Sequence, residues 1–296
     1  MTSKMLTIRN NKYAGEFKQP DFFPTSFELD DFQKYAIDCI NRNEDIIVTA
    51  HTGSGKTVPA EYAIAKALNS DEEINVIYTA PIKTLSNQKY KDFSEKFGTE
   101  NIGIITGDIK NNPDAPILIM TTEILRNILY RQKNGIVTEN PFDINLDMSK
   151  VESVIFDEIH YINDRDRGTV WEESIIMLDS KINIIGLSAT IDKAEEFASW
   201  IGEIKQKKIS LIPTKCRPVP LQHYIFVKSD NLFKIQDTSE KFLEQNFDEA
   251  HTEYKALKQS KKFNYKDMLI KSAQYLREKN LLPATYFVLN RKNCSV

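Results

Sequence analysis

The sequence predicts an α/β protein built on a doubly wound, mainly parallel sheet. Three observations carry that expectation. Short runs rich in β-branched residues alternate with longer helical patterns over about 200 residues, the rhythm of repeated strand–helix–strand units. Several runs are apolar at successive positions, Ile117–Met120 for one, as a strand must be when helices cover both of its faces. A glycine-rich segment follows the first strong run and opens a helix, and such sheets bind ligands at the carboxyl ends of their strands.

In chain order, residues 1–22 read as a polar N-terminal extension, and Met1 to Gln19 lacks the apolar core of a signal peptide. The first domain is expected over 23–216. Its strands are Asp45–Ala50, Ile74–Ala80, Ile102–Thr106, Ile117–Thr121, Val151–Phe156 and Ile182–Leu187. Its helices are Thr57–Leu68, Thr84–Phe97, Thr122–Arg131, Thr169–Leu178 and Lys193–Ile201. Arg217-Pro218-Val219-Pro220 then reads as an extended connector, because each proline disfavours helix at the residue before it. Within the connector and charged insert, 217–262, Leu221–Val227 reads as one more strand. Lys228–Lys262, crowded with Lys, Glu, Asp and Gln, reads as a solvated helical insert or linker. From 263 helical spacing returns in Met268, Leu269, Ala273 and Leu276, and a strand, Ala284–Leu289, follows Pro283. Residues 263–296 are therefore expected to begin a second α/β unit and to stop before completing it.

Hydrophobic residues are 41% and charged residues 27% of the chain, ordinary values for a soluble globular protein. A net charge of -3 argues against coating nucleic acid by bulk positive charge, though a local groove remains open to phosphates. The three cysteines, Cys39, Cys216 and Cys294, form no CxxC pair, so neither zinc nor a disulfide framework is indicated. No apolar run approaches the roughly 18 residues of a membrane helix. The expectation is a soluble intracellular protein of the nucleus or cytoplasm, with no membrane partner.

Ala50-His51-Thr52-Gly53-Ser54-Gly55-Lys56-Thr57 is a phosphate loop in the required strand–helix context. Thr52, Gly53, Ser54 and Gly55 let backbone N–H groups close around phosphate oxygens where a Cβ would intrude. Lys56 neutralises the terminal phosphates, and the Thr57 hydroxyl serves Mg²⁺. The helix N-terminus adds a partial positive charge. Ala50 stands where the strict pattern has its first glycine, which is acceptable with a negative φ. A glycine-rich turn without a ligand would need neither the lysine nor the hydroxyl.

A phosphate loop needs an acidic partner at another strand end. Val154-Ile155-Phe156 leads into Asp157-Glu158-Ile159-His160. Asp157 suits the Mg²⁺ shell, and Glu158 suits orienting and deprotonating the attacking water. With these motifs the chain resembles the DExH-box helicases of superfamily 2, and most nearly the superkiller-type, exosome-associated RNA helicases. The resemblance is carried by Phe27–Gln33 (FELDDFQ), AHTGSGKT, Pro81–Tyr90 (PIKTLSNQKY), FDEIHYI, Arg167–Glu173 (RGTVWEE), Leu187–Thr190 (LSAT) and Pro220–Tyr224 (PLQHY). It implies a RecA-like ATP-binding domain, ATP and Mg²⁺ as cofactors, and single-stranded RNA or a 3′ overhang as substrate. It also implies 3′-to-5′ unwinding, with exosome-like nucleases or other RNA-processing proteins as partners.

The resemblance further assigns residues. Phe27 would stack on adenine and Gln33 would bond its edge; by itself Phe27 also reads as a core aromatic. Ser188 and Thr190 would link nucleotide state to domain movement, though three small residues can simply end a strand. His160 would couple the acidic pair to its neighbour, or be a satisfied core histidine. Pro81, Lys83, Thr84 and Gln88 on one strand-end loop, with Thr121, Thr122 and Arg126 on another, suit nucleic-acid phosphates. Thr122 also reads as an ordinary N-cap. Thr106-Gly107-Asp108 offers a further contact, and Trp171, Glu172 and Glu173 read as packing and support.

Tyr286–Cys294 resembles the first motif of a second RecA-like domain, whose later arginine-bearing motifs are absent. A supplied arginine is worth about 10³–10⁵ in kcat, so the polypeptide is expected to bind ATP with Mg²⁺ and to turn it over very slowly. Two other readings stay open: a DNA helicase of the same superfamily, and a catalytically silent scaffold that binds ATP and RNA. A P-loop kinase or transporter ATPase is excluded, since neither uses DEIH followed by SAT.

Overall fold

The computed structural model describes residues 5–136, 146–189, 191–214, 219–228, 231–239, 241–259 and 265–287. The chain divides into two compact units, Met1–Cys216 and Arg217–Val296.

The first unit runs β1 (Leu6–Ile8), α1 (Asp31–Asn41), β2 (Asp45–Thr49), α2 (Val58–Leu68), β3 (Asn75–Ala80) and α3 (Lys83–Phe97). It continues with β4 (Ile102–Ile105), β5 (Lys110–Asn111), β6 (Ile117–Thr121), α4 (Thr122–Lys133) and β7 (Val151–Phe156). It closes with α5 (Gly168–Met177), β8 (Asn183–Ser188), α6 (Ala194–Lys205) and β9 (Ile209–Pro213). The nine strands form one sheet in the order β1-β9-β2-β8-β7-β3-β6-β4-β5. Every neighbouring pair is parallel except β4 and β5. The doubly wound, mainly parallel fold class expected from the strand rhythm is the one observed.

The continuous apolar runs follow from this layering. Strand side chains alternate between faces with a period of two. Ile46, Val48, Val76, Tyr78, Ile117 and Ile119 therefore join a core with Ile37 of α1, Ile64 of α2 and Phe93 of α3. Their neighbours Ile47, Ile77, Leu118 and Met120 join a second core with Leu125 of α4, Trp171 of α5 and Ile201 of α6.

Part of the expected N-terminal extension lies inside the fold. Leu6–Ile8 pairs in parallel with β9, and Phe17 and Phe22 pack, partly buried, against the first core. Three residues between polar flanks are too short to register as a strand in the sequence; the open edge of β9 supplies their hydrogen-bond partners.

In the second unit, β10 (His223–Lys228) and β11 (Asn231–Gln236) form an antiparallel hairpin, followed by α7 (Glu244–Gln259) and α8 (Tyr265–Glu278). The expected strand after Pro220 and helix around Met268 are present. The charged segment is strand as well as helix: β11 exposes Asn231, while Leu232 to Gln236 are partly buried. Ala284–Phe287, expected as strand, has no strand partner among the described residues. The remainder of that segment, to Cys294, lies outside them.

Candidate nucleotide and nucleic-acid site

Parallel strands in register deliver their carboxyl ends to one edge. Thr49 lies beside Ser188 and Pro213, Phe156 beside Thr79 and Gly186, and Ala80 beside Thr121. The loops after β2, β8, β7, β3 and β6 therefore emerge side by side in that order. They carry the phosphate loop, the SAT segment, the acidic pair and the two candidate nucleic-acid loops.

Ala50 is not among the described non-glycine residues with positive φ, and its N–H donates to Ser188 O at 3.0 Å. The next turn closes on His51 O, which accepts from Ser54 N at 3.2 Å and Ser54 Oγ at 2.6 Å. Gly53 and Gly55 have φ of +83° and +80°, left-handed values that suit glycine. A Cβ on Gly55 would also stand 2.6 Å from Gln33 Nε2. Gln33 is buried: its Oε1 accepts from Asp30 N at 2.9 Å, and its Nε2 donates to Gly55 O at 3.1 Å. Its amide thus ties the start of α1 to the phosphate loop. Phe27 is 53% exposed, so it is not a core aromatic and its ring is open to stacking.

Lys56 Nζ sits 2.8 and 2.9 Å from the two carboxylate oxygens of Glu158. Glu158 itself has φ 49° and ψ 45°, a left-handed conformation that is strained for a side-chain-bearing residue. Asp157 is buried; its Oδ1 accepts from Glu158 N at 2.9 Å and its Oδ2 from the Tyr78 hydroxyl at 2.5 Å. Burial pushes the Asp157 carboxyl up, while the Tyr78 hydrogen bond pulls it down. Burial, then the charge of Asp157, raises the Tyr78 phenol well above its ordinary value, so it stays a donor. His160 Nδ1 lies 3.2 Å from Glu158 Oε2 but is not aligned for a hydrogen bond, and it is buried without another partner. The satisfied core histidine is therefore not what is found. Ser188 is buried beside the phosphate-loop strand with its Oγ unpartnered, and Thr190 lies outside the described residues.

Of the candidate nucleic-acid residues, Lys83, Thr84 and Gln88 are exposed on the first turns of α3 and Pro81 is buried behind them. Lys83 Nζ is paired with Asp108 at 2.7 and 2.6 Å. Thr121, not Thr122, holds the N-cap position of α4, and it makes no side-chain cap bond. Thr122 is fully buried one residue later, its Oγ1 unpartnered, which removes the simple capping reading. Arg126 Nη1 reaches Glu173 Oε2 at 3.6 Å, and its Nε is buried without a partner.

Two residues escaped sequence reasoning. Tyr78 reads as one more apolar strand residue; the available signal was that a buried tyrosine hydroxyl must find a partner. Arg167 lies in a segment noted above, but nothing in the linear pattern shows that its guanidinium bonds Pro81 O and the Glu123 carboxylate together.

The DEAD/DEAH box helicase profile matches residues 30–197, which holds all of these strand-end loops. The chain belongs to this family. It is 52% identical over 221 residues to the antiviral helicase SKI2 of Saccharomyces cerevisiae, covering 75% of this chain and 16% of that protein. It is 42% identical over 278 residues to the exosome RNA helicase MTR4 of Homo sapiens, covering 90% of this chain and 25% of that protein. The crystal structure of the DUF1998 helicase MrfA bound to DNA and AMPPNP shares its fold, with a TM-score of 0.54 at 19% identity over 71% of this chain and 31% of that one. The chain thus spans a quarter or less of these two curated relatives. Among the described residues no helix is long and apolar enough to cross a membrane.

Proposed function

We propose that this chain is the ATP-binding motor domain of a 3′-to-5′ RNA helicase that works with RNA-processing partners of the exosome-like nuclease class in nucleus or cytoplasm. The observation that carries this is the meeting of Lys56, Asp157 and Glu158 at one sheet edge, beside the exposed polar first turns of α3 and the more buried start of α4. Similarity to the exosome RNA helicase MTR4 supports RNA over DNA.

The residues fit ATP with Mg²⁺. The left-handed φ of Gly53 and Gly55 suits a phosphate loop, and Asp157 offers a buried carboxylate already fixed by two donors. A cation there would be held by the Asp157 carboxylate, the Thr57 hydroxyl, phosphate oxygens and water. Bound, the nucleotide and cation supply the phosphoryl group and the neutralising charge for its transfer. Lys56 turns from Glu158 to the phosphates, and the freed Glu158 oxygens orient a water and take its proton. Gln33 holds the loop in shape, while exposed Phe27 offers a stacking face to the base. His160, Ser188 and Thr190 relay nucleotide state, and a second RecA-like domain completes the motor. Lys83, Thr84 and Gln88 present the exposed part of the RNA surface, with Arg126 partly exposed and Pro81, Thr121 and Thr122 buried beneath it.

The test is titration of this chain with fluorescent Mg-nucleotide, then competition between matched single-stranded RNA and DNA. Nucleotide binding that is lost in Lys56→Ala, with RNA preferred, is expected. No binding at millimolar nucleotide overturns the motor reading, and equal or better competition by DNA overturns the RNA reading.

A further inference from the structure

One side chain joins the acidic box to both candidate nucleic-acid loops. Arg167 lies on the loop between the turn after DEIH and α5. That loop is held in place by Asp164: its side-chain Oδ1 accepts from the N–H groups of Asp166 and Arg167, each at 3.0 Å, and its backbone O accepts from Gly168 N at 2.9 Å. Gly168 passes so close to Ile162 that a Cβ there would meet Ile162 O at 2.1 Å. From this fixed base Arg167 Nη2 donates to Pro81 O at 2.5 Å and, in a short charge-assisted bond, to Glu123 Oε1. Its Cζ stands 5.7 Å over the ring of buried Trp171. Pro81 precedes the first turn of α3, and Glu123 lies in the first turn of α4.

We propose that Arg167 is a positioning residue of the nucleic-acid interface, holding the β3–α3 and β6–α4 loops at one spacing so that they grip a single strand of RNA as one surface. This rests on the reading of those loops as RNA-binding. Packing of α4 on α5 does not need the clamp: Leu125, Ile128, Trp171 and Ile175 already share one core. What the guanidinium adds is a polar link between two loop tips, both bonds leaving Nη2 while the guanidinium lies over the Trp171 ring. Beside it, Thr122 Oγ1 and Arg126 Nε are buried without partners, polar groups left over at the same loop.

The test compares the chain with its Arg167→Ala and Glu123→Gln variants, using a fluorescein-labelled oligo(A) for RNA affinity, fluorescent Mg-nucleotide for the ATP site, and hydrogen exchange for the loops. Arg167→Ala is expected to weaken RNA binding by about tenfold or more, as loss of two bonds from a charged donor implies. Nucleotide affinity without RNA stays within about twofold, and exchange rises together over Lys83–Ser86 and Glu123–Arg126 but not over β2 or α2. Glu123→Gln keeps the shape, weakens one bond, and is expected to show a smaller loss in the same direction; it carries the test if Arg167→Ala does not fold. Unchanged RNA affinity in the folded variant overturns the proposal and leaves the RNA reading standing. Failure of the unaltered chain to bind RNA overturns both.

Discussion

Lys56 and Glu158, 102 positions apart, face each other at 2.8 Å across the nucleotide cradle, the ammonium bound to both oxygens of the carboxylate. The two charges needed for opposite tasks, gripping phosphate and activating water, neutralise one another until phosphate competes for the lysine.

A nucleotide must therefore break this pair to bind. Glu158→Gln weakens the competitor and is expected to tighten Mg-nucleotide binding by a few-fold, as loss of about 1 kcal/mol of partly exposed ion pairing implies. Lys56→Ala removes the grip and is expected to abolish binding. Titration of both variants with fluorescent nucleotide checks this; weaker binding by Glu158→Gln than by the unaltered chain contradicts it.

Tyr78 holds Asp157 Oδ2 from inside the core, with Phe93 packed edge-on against its ring at 5.2 Å. Tyr78→Phe keeps the ring and leaves a buried carboxylate oxygen without its donor. The expected loss is about 1–3 kcal/mol of stability, read as a lower urea midpoint at constant slope. Nucleotide affinity should also come to require more Mg²⁺, because the carboxylate is free to turn. An unchanged midpoint and an unchanged Mg²⁺ requirement together would refute the role.

Gly168 opens α5 where an added Cβ would collide with backbone rather than a movable side chain. Gly168→Ala is expected to lose about 1–3 kcal/mol, the range for overpacking a closed site. Urea unfolding measures it, and a variant as stable as the parent would show that the loop yields freely.

Lys205, buried at the end of α6, donates to the carbonyl oxygens of Leu178, at 3.0 Å, and Asp179. Burial pushes its ammonium down to about 8, assisted by Lys207 and opposed by Asp45 and Asp179. Between that value and the ordinary lysine value of about 10.4 the unfolded chain holds a proton that the folded chain has released. Stability contributed by this group therefore rises with pH across that window. Unfolding free energies of the chain and of Lys205→Met, measured at about pH 7 and about pH 10, should diverge in favour of the parent at the higher pH. A constant difference would mean that Lys205 keeps its proton in the fold.

Local chemistry made much of the site legible. Gly53, Gly55, Lys56 and Thr57 are adjacent in sequence and act through one backbone turn, so their grouping survives in the linear pattern. The acidic pair was readable for the same reason, as an apolar strand ending in two carboxylates. Phe27 and Thr122 were not decided by pattern, because exposure depends on what the rest of the chain covers.

The sequence by itself determined the doubly wound sheet, the phosphate loop and the acidic box, since each rests on periodicity and neighbours within about ten residues. Tertiary structure alone decided the pairs: Lys56 with Glu158, Tyr78 with Asp157 at a separation of 79, and Arg167 with Pro81 at a separation of 86. The reason is strand order. β3 lies beside β7, and β2 is separated from β7 only by β8, although long stretches of chain divide them in sequence. Which strands become neighbours is set by the packing of whole layers, and no short segment carries that information.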